Sequence, residues 1–408
     1  APSTGEAQPV HRAAFDEAFL QGLGDALLAR LVDEALHANH DLRIALTRLD
    51  QANALLRGAR LDALPTVTAQ GEAAHVRTSA DQAPGTPRAA RDGEQWSAGL
   101  AASWELDLFG RVRRSIEAGR ADVRASAADL RALQVAIAGE VARSFVELRG
   151  TQERLRVARA NRDNQQRTLE LVEARLQAGA GTDFDGARAR AQLETTAARI
   201  PALEAQAQVA MHRLAVLAGR DPASLVATLT PPGPLPSLPP RIDPGTPGGL
   251  LRARPDIAAA EARLHAATAR IGVATADLFP RFTLGGLIGS QAIDAGSLFE
   301  RDSETGFVAL GIDWSFLDIG RVRARIAAAD ADAEGALARY EQTVLLALED
   351  TENALVRYAR ARSEDAHLER AAADSATAAR LARVRFDAGA VDLFEVLDAE
   401  RTQLQAQD

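Results

Sequence analysis

Few residues in this chain stand where they could do covalent or metal chemistry. Cysteine is absent, which removes disulfides, thiolate metal sites and Cys nucleophiles. Among the scattered histidines only His37 and His40 lie one helical turn apart, and with no carboxylate in register they read as solvated-face residues. No Gly-rich phosphate loop, Ser-His-Asp pattern or HExxH occurs, so the sequence reads as a non-enzyme with no cofactor and no metal. What remains is charge placed at element ends. Asp392 fits an N-cap with Glu395 completing a capping box, and Asp183 and Asp185 fall in a helix's opening turn, where its dipole favours them. Arg111, Arg113 and Arg114, like Arg321, Arg323 and Arg325, mark strand-to-helix junctions. A net charge of −9 and the lack of interleaved aromatics argue against nucleic acid as a partner.

The elements that position these charges occur twice. Trp104, Gly110, Arg111, Val112 and Arg113 return as Trp314, Gly320, Arg321, Val322 and Arg323, an offset of about 210 residues, far above the period of a solenoid. Arg175, Ala178, Gly179, Phe184 and Ala189 return at the same offset as Arg385, Ala388, Gly389, Phe394 and Ala399. Upstream the offset grows to about 215, pairing Asp41 with Asp256 and Pro65 with Pro280, so an indel of about five residues sits in a loop between the two anchors. Four segments follow: a polar stretch with a short helix (1–40), a first repeat (41–218), a Pro-rich connector (219–250) and a second repeat (251–408).

Each repeat reads as helix, two strands, a very long helix, a turn and a closing helix. Residues 111–177 contain no proline and keep an apolar 3–4 spacing through Leu130, Leu133, Ile137, Val141, Phe145 and Leu148, which predicts about 100 Å of helix. Pro201 is expected to kink or divide the helix that follows Gly181. The strands alternate strictly. Trp96, Ala98, Leu100, Ala102, Trp104, Leu106 and Leu108 share one face; Phe282, Leu284, Gly286 and Ile288, and then Val308, Leu310, Ile312, Trp314 and Phe316, continue it. Val67, Ala69, Gly71, Ala73 and His75 form the weakest such run. Each run has the length of a tilted strand crossing a bilayer, although a half-buried soluble sheet alternates in the same way. Four strands are too few to close a barrel, so chains must combine to remove the edges. Both ends of the chain look trimmed.

The spaced pattern Leu250, Leu251, Arg252, Ala253, Arg254, Pro255, Asp256 and Ile257, followed by Ala260, Glu261, Leu264, Ile271, Gly272 and Phe279-Pro280, carries a resemblance to a known family. With the Trp104 and Trp314 motifs and Val391, Asp392, Val396, Leu397, Asp398 and Ala399, the chain resembles the TolC family of outer-membrane efflux channels. It is most similar to the OprM/NodT branch, over essentially its whole length. The resemblance implies a mixed α+β membrane protein: a long-helix α-barrel continuous with a transmembrane β-barrel, twelve-stranded, to which each protomer of a homotrimer gives four strands. It implies a passive channel spanning from the bacterial outer membrane into the periplasm. Its partners would be a periplasmic adaptor (membrane fusion) protein, an inner-membrane RND-type transporter and outer-membrane lipid. An acylated N-terminal cysteine, common in the branch, is not visible in this chain.

Carried over residue by residue, the resemblance assigns a periplasmic gate to Glu395 and Asp398, with Asp183 and Asp185 as first-repeat equivalents and Leu393 and Phe394 as apolar plugs. The aromatic and arginine tethers of the family are not reproduced, since Phe386 and Val391 stand in their places. Adaptor-contact tips fall at Gln177, Ala178 and Gly179 and at Asp387, Ala388 and Gly389. Lipid would meet Trp96, Leu100, Trp104, Phe282, Leu284, Leu310, Ile312 and Trp314. The function implied is the exit duct of a tripartite multidrug efflux pump. A duct for type I protein secretion or heavy-metal efflux shares this mechanical design, and a soluble helical scaffold shares the elements.

Overall fold

The computed structural model describes residues 22–238 and 247–408. The polar opening up to residue 21 and residues 239–246 of the connector lie outside the described residues. The first repeat supplies α2 (His40–Leu61), β1 (Thr66–Arg77), β2 (Asp92–Leu106), α3 (Arg111–Gln177) and α4 (Asp183–Ala197), preceded by α1 (Ala26–Ala38). After α5 (Arg199–Leu217), a single turn α6 (Val226–Leu229) and α7 (Pro247–Ala253), the order restarts. It runs α8 (Pro255–Ala276), β3 (Arg281–Ala292), β4 (Glu304–Asp313), α9 (Ile319–Asp387) and α10 (Leu393–Gln407). Corresponding helices match in length: 22 and 22 residues, 67 and 69, 15 and 15. Two compact units result, and neither is a repeat. One comprises Ala1–Ile44, Arg131–Ala253 and Leu346–Asp408; the other, Ala45–Leu130 and Arg254–Leu345. Each takes pieces of both halves, because strands and helices of one half bond and pack against those of the other.

In the unit holding the strands, the sheet order is β1-β2-β3-β4, antiparallel throughout. Directly opposed residues in an antiparallel pair share a face. The register sets Ala69 opposite Leu100, Leu100 opposite Ile288, Trp104 opposite Leu284, and Leu284 opposite Leu310. All four apolar sets therefore lie on one face, with Thr68, Ser103, Glu105 and Thr283 on the other. Leu287 opposite Phe307 is an apolar pair on that second face, which the alternation did not reveal. β1 and β4 each have one unpaired edge.

The strand limits differ from those expected. β2 ends at Leu106, so Leu108 is not a strand residue, and β4 ends at Asp313, which places Trp314 and Phe316 beyond it. For β4 the cause is local, since residues Phe316–Asp318 wind into a 3₁₀ turn; just past the strand, the Trp314 indole N–H donates to the Leu278 carbonyl at 3.1 Å. Trp104 does the equivalent, donating to the Ala63 carbonyl at 3.0 Å. Both indoles thus tie a sheet to the end of the helix that precedes its hairpin. Among the junction arginines, Arg111 pairs with Glu105, Arg113 with Asp107 and Arg325 with Asp277. No described helix is long and apolar enough to cross a membrane.

In the other unit, α3 meets α5 through Ala158 against Ile200 and Leu203, and Leu28, Leu31, Phe145, Leu148 and Leu214 are at most 1% exposed. α4 and α5 part at Ala198, three residues before Pro201, which sits in the first turn of α5, where its missing N–H is tolerated. Arg149 donates to the Pro231 carbonyl at 2.9 Å and Gln152 to that of Leu229 at 2.8 Å, pinning the start of the connector to α3. His37 does have a carboxylate in register: Asp33, one turn earlier, lies 3.7 Å from it. Among the described residues no group of three His, Cys, Asp or Glu could hold a metal ion.

Candidate functional site

The residues singled out by sequence converge at the ends of two helical hairpins, α3–α4 and α9–α10, in one compact unit. Both turns are built alike. Gly179 and Gly389 adopt φ of 73° and 74°, the left-handed region open to glycine without strain. Ala180 N–H then reaches the Arg175 carbonyl at 2.9 Å, and Ala390 N–H the Arg385 carbonyl at 2.8 Å, closing each long helix with the same six-residue loop. Gln177, Ala178, Gly179, Asp387, Ala388 and Gly389 are all exposed, as a contact surface requires. Thr182 and Asp392, again equivalent, cap the returning helices. Thr182 forms a full capping box with Asp185, whose carboxylate accepts from the Thr182 hydroxyl at 2.6 Å. Asp392 accepts only the Glu395 N–H, at 3.2 Å, so the reciprocal bond expected from Glu395 is not made. The Glu395 side chain faces Arg385 instead, at 3.9 Å.

The hairpins are joined by an apolar cluster of Val172, Phe386, Leu393, Val396 and Leu397. Leu393 is 5% exposed and is packing material here, whereas Phe394 is 52% exposed. The Arg175 guanidinium stacks 4.0 Å from the Phe386 ring centroid and donates to its carbonyl at 2.9 Å. One turn further along α10, Glu400 is buried. It pairs with Arg383 and accepts from the Thr168 hydroxyl at 3.2 Å, as a carboxylate in such a place must. Asp398 pairs with Arg401 and stays half-exposed, and Asp183 is exposed.

Arg188 was missed. Its guanidinium lies between Phe184 and Phe394, at 5.4 and 4.8 Å from the two ring centroids. The repeat offset held the signal: it pairs Arg188, rather than Asp183 or Asp185, with Asp398, and it pairs Asp183 with Leu393. The same offset matches Glu173–Arg190, 3.5 Å apart on the first hairpin, with Arg383–Glu400 on the second. The cross-link is kept and its polarity reversed.

The sheet is the second candidate surface. On its apolar face Leu100, Leu310 and Ile312 are 49%, 58% and 64% exposed, and Trp104 and Leu284 are exposed as well. Trp96 and Phe282 are half-buried, and Trp96 donates to Glu94 at 3.0 Å. So many exposed apolar side chains on one face mark a surface that meets something other than water.

The family model described as "Outer membrane efflux protein" matches residues 31–220 and 247–408. The outer membrane protein OprJ of Pseudomonas aeruginosa PAO1 is 34% identical over 387 residues, covering 93% of this chain and 78% of that protein. Nodulation protein T of Rhizobium leguminosarum bv. trifolii is 31% identical, covering 94% and 81%. The solved outer-membrane channel OprN superposes with a TM-score of 0.91 at 40% identity, covering 100% of this chain and 90% of its own. With two hairpin tips, an exposed apolar sheet face and a match that takes in both repeats, the chain belongs to the outer membrane efflux protein family.

Proposed function

We propose that this protein is the outer-membrane exit duct of a tripartite efflux pump, working as a closed ring of three copies with its gate at the hairpin tips. The outer-membrane efflux function and location follow from the family, which sets the soluble-scaffold alternative aside. The observation that carries the ring is the sheet. Four strands expose an apolar face and leave β1 and β4 each with an open edge, and β4 of one copy against β1 of the next removes every edge. The apolar face then meets outer-membrane lipid, and Thr68, Ser103, Glu105 and Thr283 face water inside. An adaptor would bind the tips at Gln177–Gly179 and Asp387–Gly389, and an inner-membrane transporter of the RND type would supply the energy.

Three copies of Glu395 and Asp398 around a narrow bore repel one another and attract cations, which suits a gate held shut by neighbouring contacts. Phe394, exposed beside them, narrows the same passage. Asp183 and Asp185 stand at the equivalent turn of the first hairpin. Opening requires the helices that return from the tips, α4 with α5 or α10, to swing outward, a rearrangement of helix interfaces rather than of the barrel. Replacing Glu395 and Asp398 with Ala should raise resting conductance in planar bilayers; unchanged conductance removes both from the gate.

A further inference from the structure

We infer that each chain carries a cleft for a soluble oxyanion, of the size of a sugar phosphate or sugar acid, at the hairpin end of its sheet, with Arg91 as the partner of the anionic group. All the walls come from one chain, so the cleft does not need the ring; only its place at the outer mouth of the duct rests on the function proposed above. A cavity of about 590 Å³ lies between the two β-hairpins, at the end of the sheet away from the long helices, and is within the size range of small-molecule sites. Its floor is the last rows of the polar face, where Val76 is opposite Gly93, Gln95 opposite Ala74 and Gln291 opposite Ser97. These positions share the face of Thr68, Ser103 and Thr283, the side assigned to water. The walls are the hairpin loops: Arg91 ends the 3₁₀ turn Arg88–Arg91 on one side, and Ile293, Ser297 and Ser303 come from the other.

The ligand class follows from which lining groups are already engaged. Both Asp92 oxygens accept from Arg77, and Glu94 accepts the Trp96 indole N–H at 3.0 Å. By register Arg77, Asp92, Glu94 and Trp96 belong to the apolar face, so both carboxylates are held by partners on the far side of the sheet. The loops are fixed by their own bonds. Ser303 donates its hydroxyl to the Ser297 carbonyl at 2.7 Å, Ser297 donates to that of Asp294 at 3.1 Å, and the Thr78 N–H reaches the Arg91 carbonyl at 2.9 Å. The Arg91 side chain is not engaged. Among the described residues it has no hydrogen bond or ion pair, and its Nε is buried without an acceptor. A buried donor left unmet is costly, and a guanidinium is a planar fork that fits two oxygens of one phosphate or carboxylate. The Thr78 hydroxyl and the Gln95 and Gln291 amides, also uncommitted, can donate to and accept from sugar hydroxyls. Val76 and Ile293 offer apolar contact to the carbon face of such a ring. With the acids paired and the one free charge positive, the lining selects an anion over a cation.

The test titrates the full chain in detergent with glucose 6-phosphate, gluconate and glucose, reading binding by ligand line broadening in NMR, which registers weak sites. At least one of the two anions should bind saturably, and glucose about tenfold more weakly or worse, since it lacks the charged group. Arg91→Gln should weaken anion binding by about tenfold or more. Arg88→Gln removes the same charge from the same turn but lies outside the lining, and should change affinity by less than about twofold. Arg91→Lys, which keeps the charge without the fork, should fall between the natural protein and Arg91→Gln. Equal losses from Arg88→Gln and Arg91→Gln would reduce the effect to surface charge and overturn the proposal. So would unchanged affinity in Arg91→Gln, or no saturable binding of either anion. If nanodiscs containing lipopolysaccharide block both anions while phosphatidylcholine nanodiscs do not, the ligand is a lipid headgroup and the soluble source is overturned. Native mass, measured on the same samples, separates this cleft from the ring: single-chain particles that bind the anion sink the ring alone, and three-chain particles that bind none sink the cleft alone.

Discussion

Phe386→Ala should loosen α10 from α3 without unfolding the sheet. Phe386 is 5% exposed, and its ring fills the cluster of Val172, Leu393, Val396 and Leu397. Truncating a buried Phe to Ala destabilises by about 3–5 kcal/mol, through lost transfer energy and the cavity left behind. The low end applies, since Phe394 and Arg385 at the same turn are exposed and the helix end can collapse into part of the space. The Arg175 stacking contact accounts for about 0.5–1 kcal/mol of that figure. The Arg175 bond to the Phe386 carbonyl is to main chain and survives. About 3 kcal/mol corresponds to roughly a hundredfold in an opening equilibrium. Backbone amide exchange followed by mass spectrometry in detergent reads this directly, because regions open with their own local free energies. Peptides covering Leu393–Leu404 should exchange about a hundredfold faster, and those covering β2 and β3 at the native rate. Phe386→Leu, which keeps most of the volume, should shift α10 by under about 1.5 kcal/mol. Equal acceleration in α10 and the sheet, or none in α10, would refute the idea that this cluster is a local fastening.

Two further outcomes are expected. Arg188→Ala removes two ring contacts of a half-buried arginine, and a double-mutant cycle with Phe394→Leu on the same exchange signal should give about 0.5–1 kcal/mol of coupling, less for Arg188→Lys, whose ammonium does not stack as a plane; zero coupling would make the stack incidental. The Arg254 guanidinium, hydrogen-bonded to Asp256 at the start of α8, holds that carboxyl below the usual carboxylate range, against the opposing effect of burial. A depressed folded-state value stabilises above the unfolded value of about 3.9 and is lost as pH falls through the folded one. The stability difference between the natural protein and Asp256→Asn should accordingly shrink between about pH 5 and pH 3, and a constant difference would break the link.

Sequence legibility followed the range of the forces involved. Local rules placed α3 and α9 to the residue or nearly so, because a proline-free run of helix formers ends only where glycine permits the left-handed turn at Gly179 and Gly389. Alternation gave the correct face for every strand, since a pleat has a period of two. It did not give the strand ends. Trp314 alternates as a strand residue, yet β4 ends at Asp313 and the chain turns away into the 3₁₀ turn at Phe316–Asp318. Arg188 went unread for a different reason: an arginine in a helix's second turn looks like any solvated charge until both rings that flank it are in place.

By itself, the order of residues determined the duplication, the long helices, the apolar strand face and, through its family pattern, the kind of protein. Those follow from periodicity and turn chemistry, which act over a few neighbours along the chain. Only the tertiary structure decided that Leu393 packs inward while Phe394 stays out, that Glu400 is buried against Arg383 and Thr168, and that each compact unit is made from both halves. Such outcomes depend on which helices lie side by side, and that is a contest between distant surfaces for the same buried volume.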